Sequence, residues 1–153
     1  MEPLDNVDKA ILKHLQINAK ITTKELASLL NLTISPIYER IKRLETLNYI
    51  QQYVAILNRA LLEKRFTTMC QVSLRNHDEY FIERFEHEIQ LLEEVQECYH
   101  VSGQVDFVLK IAIASPEEYH LFVKNKLSKI ENIGTLNSAF ILKEIKYTHA
   151  FKL

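Results

Sequence analysis

The sequence predicts an α+β protein. An N-terminal (winged) helix-turn-helix domain is joined by a linker strand to a C-terminal ferredoxin-like βαββαβ domain. Three observations predict it. Residues 5–46 carry helical periodicity interrupted by two further helix starts. Residues 66–148 alternate strand-like and helix-like runs in the order βαββαβ. The charge also changes sign along the chain: ten Lys and Arg against seven Asp and Glu up to Arg65, then nine against thirteen. The resulting +3 and −4 fit a small basic module attached to an acidic one. The expected division is 1–50 for the helix-turn-helix domain, 51–65 for the linker strand and hinge, and 66–153 for the sheet domain.

The first helix starts at Asp5, an N-cap, with Asp8 at N3 near the positive end of the helix dipole. Val7, Ile11, Leu12 and Leu15 share one face, and the helix should end near Asn18. Thr22 and Glu25 form a T-x-x-E capping box that opens a second helix running to about Leu30, with Leu26, Leu29 and Leu30 inward. Thr33 can cap a third helix, with Pro36 in its first turn, where a missing N–H leaves no intrahelical bond unmade. A short helix, a three-residue turn and a third helix make the helix-turn-helix arrangement. Ala27 is small where the helices approach, Asn31 tolerates the left-handed turn conformation, and Ile37 points back into the core.

On a wheel of 100° per residue, Ile37, Ile41 and Leu44, with Ile34 nearby, form the buried stripe of the third helix. Ser35, Glu39 and Lys42 fall opposite, flanked by Pro36, Tyr38 and Arg43. Ser35, Tyr38 and Glu39 are placed to meet base edges in the major groove. Arg40, Lys42 and Arg43 suit phosphates or guanine edges. A charged outer face can be merely solvated; the capped helix and turn before it favour DNA. Thr33 and, on the second helix, Thr23 complete the expected contact set. Glu39, an acidic side chain amid this face, is suited to cytosine N4. Residues 47–58 read as a wing or connecting strand, and 58–65 as a hinge.

Strands are expected over 66–75, 95–103, 105–114 and 133–148, and helices over 78–92 and 116–130. The last helix is opened by Ser115 as N-cap, Pro116 at N1 and Glu118 at N3. The first of these helices places Phe81, Phe85, Ile89 and Leu92 on one face. The third strand is apolar on both faces, with Phe107, Leu109, Ile111 and Ile113 on one and Val108, Ala112 and Ala114 on the other. This implies a cover on the side away from the helices, most simply the same sheet of a second subunit. The turn 101–107, VSGQVDF, is the candidate ligand site. Gly103 permits close backbone approach, Ser102 and Gln104 offer hydrogen bonds, and Asp106 can accept from an ammonium. An ordinary hairpin turn is the alternative.

The bulk numbers exclude other classes. At 47% hydrophobic and 25% charged, with only five Gly and Pro, the chain is a globular protein rather than a disordered one. No run approaches the roughly 20 apolar residues that span a bilayer, and the N-terminus lacks a signal-peptide pattern, so the cytoplasm is the expected address. Cys70 and Cys98 lie in apolar strands and read as small core hydrophobes; with the third strand between the first and second, they are too far apart for a disulfide. The six histidines show no metal-ligand spacing, and no metal or other cofactor is expected.

The segments LDNVDKAILKHLQ, KELASLLNL, TISPIYERIKRLE, YIQQYVAILN, VQECYHVSGQVDFVLKI and FILKEIKYT, in this order and spacing, resemble the Lrp/AsnC family of feast/famine transcriptional regulators over nearly the whole length. The resemblance implies a DNA-binding helix-turn-helix and an effector domain that dimerises through its sheet. It also implies assembly into octamers or larger rings, with an amino-acid effector bound between subunits. The recognition helix carries over onto residues 33–47, including Ser35, Pro36 and Arg40. The effector turn carries over onto Gly103 and Asp106, with Ser102, Gln104 and Val105 beside them, and a polar position on the last strand onto Ser138. Gln104 stands where the family often has an acidic residue. Asn48 and Tyr49 replace the usual glycine after the third helix. The expected function is therefore a sequence-specific regulator, not an enzyme, that responds to a small amino acid. An effector-independent architectural DNA-binding protein and, more remotely, a small ferredoxin-like enzyme stand as alternatives, although no nucleophile–base pair or phosphate loop is evident.

Overall fold

The computed structural model describes residues 3–153. Its elements are α1 (Asn6–Ile17), α2 (Thr23–Leu29), α3 (Ile34–Thr46), β1 (Phe66–Leu74), α4 (Glu79–Gln90), β2 (Val95–His100), β3 (Phe107–Ile113), α5 (Pro116–Asn125) and β4 (Ile133–Phe140), with 3₁₀ turns at Arg59–Leu61 and Leu127–Lys129. The chain divides into two units. One reaches to Ile56 and includes Ile145–Leu153; the other is Leu57–Glu144. The division falls inside the expected linker, and the last nine residues group with the three-helix unit rather than with the sheet.

In the three-helix unit, local chemistry sets each boundary. Asp5 and Asp8 form a capping box at the start of α1, as Thr22 and Glu25 do at α2. Thr33 occupies the N-cap of α3, but its hydroxyl makes no capping bond, contrary to expectation. Both α2 and α3 end in Schellman motifs. The Leu32 N–H donates to Ala27 and the Asn31 N–H to Ser28, and the Tyr49 N–H donates to Leu44 and the Asn48 N–H to Glu45. The left-handed residues are Asn31 (φ 54°) and Asn48 (φ 60°). Asn48 thus takes the place a glycine would fill, and the turn out of α3 is kept.

Ile11, Leu12, Leu26, Ala27, Ile37 and Leu44 are the buried centre, with Val7, Leu15, Leu30 and Ile41 packed around them. Two expected core residues are not in it. Leu29 is 56% exposed and Ile34 51% exposed. Leu29 closes the short α2 on its outer side, and Ile34 is the first residue of α3, with no helix packed over it. Residues 51–58 form no paired strand among the described residues, so the expected wing or linker strand is extended chain here.

The second unit is a four-stranded antiparallel sheet in the order β2-β3-β1-β4. Cys70 on β1 and Cys98 on β2 both pair with Leu109 on β3, two strand spacings or about 10 Å apart. Both are free thiols. One sheet face, including Cys70, Val72, Phe107, Leu109, Ile111 and Ile113, packs against Phe85 and Ile89 of α4 and Tyr119 and Phe122 of α5. On the opposite face β3 is largely apolar, as read from its sequence. Polar pairs lie on the strands beside it: β1 and β4 align Gln71 with Asn137 and Ser73 with Thr135, and Lys110 pairs with Glu97 at 2.6 Å.

Boundaries also differ: β2, expected to 103, ends at His100, and β3, expected from 105, begins at Phe107. The helix expected to Ile130 ends at Asn125 and gives way to the 3₁₀ turn. The strand expected to 148 ends at Phe140, because its partner β1 runs out: Phe140 pairs with Thr68, and the Ile141 N–H makes a last bond to Thr67.

Candidate nucleic-acid interface and effector turn

The geometry of α3 follows from its two stripes. Ile37 and Leu44 are fully buried, which turns Ser35, Tyr38, Glu39 and Lys42 outward into solvent. Pro36 is also exposed, in the first turn, and the Lys42 ammonium lies 5.6 Å over the Tyr38 ring. Thr33 is exposed at the start of the helix, and Thr23 opens α2, half-buried. On α3, Ser35, Tyr38, Glu39 and Lys42 therefore share one outer face. Ile34, expected in the core, joins them: with Tyr38 and Lys42 it forms an i, i+4, i+8 stripe of apolar, aromatic and cationic side chains.

Arg40 and Arg43 differ from the rest. Arg40 Nη1 donates to Asp5 Oδ2 at 2.6 Å and to Asp8 Oδ1 at 2.7 Å, and Arg43 Nη2 donates to Asp8 Oδ2. The Asp8 side chain has no solvent exposure. A buried carboxylate persists only with its charge and lone pairs satisfied, so Asp8 draws both guanidiniums toward α1. The backbone N–H of Asp8, and then the Arg40 guanidinium, hold the Asp5 carboxyl below the usual range; Asp5 first and then Asp8 raise Arg40. Sequence reasoning recognised Asp5 and Asp8 as a helix cap and missed this second role. The available signal was position: Asp8, Ile11, Leu12 and Leu15 share a stripe, and an acid on an apolar face calls for a partner.

At the other candidate site, the chain between β2 and β3 is residues 101–106, whose four-residue tip, Ser102 to Val105, is closed by Val101 N–H to Asp106 O at 2.9 Å. Gly103 has φ 141°, and a Cβ there would meet nothing within 4 Å, so glycine serves the backbone rather than a packing contact. Ser102, Gly103 and Gln104 are exposed and Val105 half-buried. Asp106 is turned inward. Its Oδ2 accepts from the Leu74 N–H at 2.7 Å, and its Oδ1 lies 3.0 Å from His77 Nε2. Both oxygens are thus engaged within the chain, where an unfilled acceptor had been expected.

Ser138 does not join this turn within one chain. It pairs with Cys70, which pairs with Leu109, putting it about 10 Å along and about 10 Å across the sheet from Asp106. Its hydroxyl bonds to the Tyr119 hydroxyl, on the helix side of the sheet. Among the described residues, no group of three His, Cys, Asp or Glu is placed to hold a metal ion, and no helix is long and apolar enough to cross a membrane.

Comparison with known proteins matches both units. Residues 4–45 fit the AsnC-type helix-turn-helix domain, and residues 67–151 fit the Lrp/AsnC ligand binding domain. A leucine-responsive regulatory protein of Haemophilus influenzae is 34% identical over 95% of this chain and 88% of its own length. A transcriptional regulator of Neisseria meningitidis, solved as a complex with L-Met, superposes with a TM-score of 0.94 at 29% identity, over 98% of this chain and 97% of that one. An AsnC family regulator of Agrobacterium tumefaciens superposes with a TM-score of 0.93 at 30% identity, over 97% of each chain.

Proposed function

Because this chain belongs to the Lrp/AsnC family of transcription regulators, we propose that it binds duplex DNA sequence-specifically through the outer face of α3. We further propose that its assembly or DNA affinity responds to a small amino acid held between subunits. The observation that carries the DNA reading is the single outward surface of Ser35, Tyr38, Glu39 and Lys42, presented by a capped α2 and the Asn31 turn. Ser35, Tyr38 and Glu39 read base edges in this account; Lys42 meets phosphate, and Arg40 and Arg43 flank them. Thr23, Thr33 and Pro36 border the same contact.

The effector reading is supported by the ligand-binding domain match and by the L-Met bound to the Neisseria regulator. In this chain the exposed turn offers the Ser102 and Gln104 side chains and the Gly103 backbone, while Val105 and Asp106 hold its shape. A homodimer closes over the sheet face opposite the helices, and dimers gather into an octamer or another higher assembly. The cytoplasm is the proposed location. In domain terms, residues 1–50 bind DNA, 51–65 link, and 66–153 bind effector and assemble.

Gel-shift titration with the DNA upstream of its own gene, at two salt concentrations, tests the DNA reading. Binding tighter than to random DNA, weakening as salt rises, is expected. Equal affinity for both, or insensitivity to salt, contradicts it. One observation favours a second reading: each Asp106 oxygen already has a partner within the chain and Gln104 is uncharged, so the turn offers an ammonium no uncommitted acidic group. That favours an architectural DNA-binding protein without an effector. Calorimetry against the twenty amino acids separates the two, since heat from any of them supports the effector and silence from all supports the architectural protein.

A further inference from the structure

We propose that Asp5 and Asp8 are positioning residues for DNA recognition: from α1 they hold Arg40 and Arg43 in one orientation on α3 before any duplex arrives. The inference rests on α3 being the DNA-binding helix.

The geometry uses every oxygen of the two carboxylates. Asp5 Oδ1 accepts from the Asp8 N–H at 2.8 Å and Asp5 Oδ2 from Arg40 at 2.6 Å. Asp8 Oδ1 accepts from Arg40 at 2.7 Å, and Asp8 Oδ2 from Arg43 and from the Asp5 N–H at 3.1 Å. Two arginines, 32 and 35 residues away from Asp8 in the chain, are thereby tied to the first turn of α1.

Stability alone does not require this arrangement. A serine or asparagine at position 5 would cap α1 as well, and an apolar side chain at position 8 would extend the stripe of Ile11 and Leu12 without burying a charge. What the carboxylates add is order in two long side chains at the edge of the outward face. All of Arg40's hydrogen bonds among the described residues leave from Nη1. Its Nε and Nη2 hydrogens remain to form the planar, two-pronged edge that suits a phosphate or a guanine. Arg40 and Arg43 line a surface hollow of about 460 Å³ together with Asp5, Pro36 and Glu39. An arginine already fixed loses little further freedom on binding; a loose one must be ordered by the DNA itself. The clamp therefore favours the duplex whose groups match the fixed edge over one that does not.

Asp5→Asn is the discriminating variant, because asparagine keeps the N-cap while removing the charge that holds Arg40. Asp8→Asn is the companion, with its fold checked by circular dichroism and thermal melting. The probes are a duplex selected by the wild-type chain from a random library and a scrambled duplex of equal length and composition. For Asp5→Asn the ratio of selected to scrambled affinity is expected to fall about three- to tenfold. Affinity for the scrambled duplex should hold or rise, since a negative charge has been removed. A purely structural role would lower both affinities by the same factor, and that result, or an unchanged ratio, overturns the proposal. A wild-type chain that selects no sequence at all removes the DNA reading itself, and the proposal falls with that premise rather than on its own.

Discussion

Asp106 accepts a hydrogen bond from the backbone N–H of Leu74 at 2.7 Å, so the carboxylate after the β2–β3 turn secures the end of β1. Leu74 is 5% exposed, and its N–H has little access to water. Asp106→Ala should therefore destabilise the ligand-free chain by about 1–3 kcal/mol, the usual cost of a buried donor left without an acceptor. Urea unfolding without any amino acid measures it, with hydrogen exchange at the Leu74 amide as the local readout. Wild-type stability in the variant would mean that the carboxylate serves a ligand and not the strand.

The arginine clamp also revises what substitutions on α3 report. Lys42 is exposed on the outer face, and Lys42→Ala should reduce the slope of log affinity against log salt by about 0.9, the value of one phosphate contact. Glu39→Ala should change sequence preference more than overall affinity, as expected of a cytosine reader. Arg43→Ala cannot be read so simply. It removes one partner of buried Asp8 and should cost about 1–3 kcal/mol of stability besides weakening binding to all sequences. Competition gel shifts beside thermal melts separate these effects; a uniform loss for Glu39→Ala would refute its assignment.

Much of this was legible because it is local. The N-cap at Asp5, the capping box at Thr22, the Asn31 turn and Ser115 with Pro116 follow from residues within a few positions, and the succession of helices and strands along the chain from period-2 and period-3.6 patterning. What stayed hidden depends on a partner far along the chain. Asp8 reads as a cap until Arg40 and Arg43 are folded onto it, and Asp106 reads as an open acceptor until Leu74 meets it. The mixed apolar and charged run after Phe140 has strand-like composition, but pairing ends where β1 begins. Ile34 has the right angle for the core stripe; it lies outside only because α3 begins there.

Asn48 allows a clean test of that local logic. It holds φ 60° in the Schellman motif that ends α3, a conformation that costs most side chains about 1–2 kcal/mol. Asn48→Gly should match or slightly exceed wild-type stability, whereas Asn48→Ala should lose about 1 kcal/mol. Denaturant unfolding monitored by helical circular dichroism orders the three proteins. Alanine equal to glycine would show that the helix end is not left-handed in solution.

The capping carboxylates make a prediction about acid. Asp5 is held low first by the Asp8 N–H and then by Arg40, and Glu25 is held low by the Thr22 N–H and then the Thr22 hydroxyl. Both groups are lower in the folded chain than in the unfolded one. Their contribution is therefore complete above the unfolded carboxyl range, near pH 4, and is lost as pH falls through the folded values. The three-helix unit should lose stability progressively below about pH 4. The double variant Asp5→Asn, Glu25→Gln keeps hydrogen-bonding side chains at both caps and should flatten that decline in melts between pH 5 and pH 2.5. An unchanged slope would assign acid sensitivity elsewhere.

Cys98 gives the sheet unit its own chemical reporter. It lies on β2 opposite Leu109, on the face covered by α4 and α5. Burial first, and the neighbouring Glu86 carboxylate second, push its thiol up to about 11. Only the thiolate reacts with an alkylating agent, so at pH 8 Cys98 should react roughly a hundredfold more slowly than an ordinary cysteine. Cys70 has no exposure and should react only when the sheet opens. Iodoacetamide labelling followed by mass spectrometry is expected to find both thiols slow in the native chain and fast in urea. Rapid labelling of Cys98 at pH 8 would mean that the α4 edge of the sheet opens far more often than its packing allows.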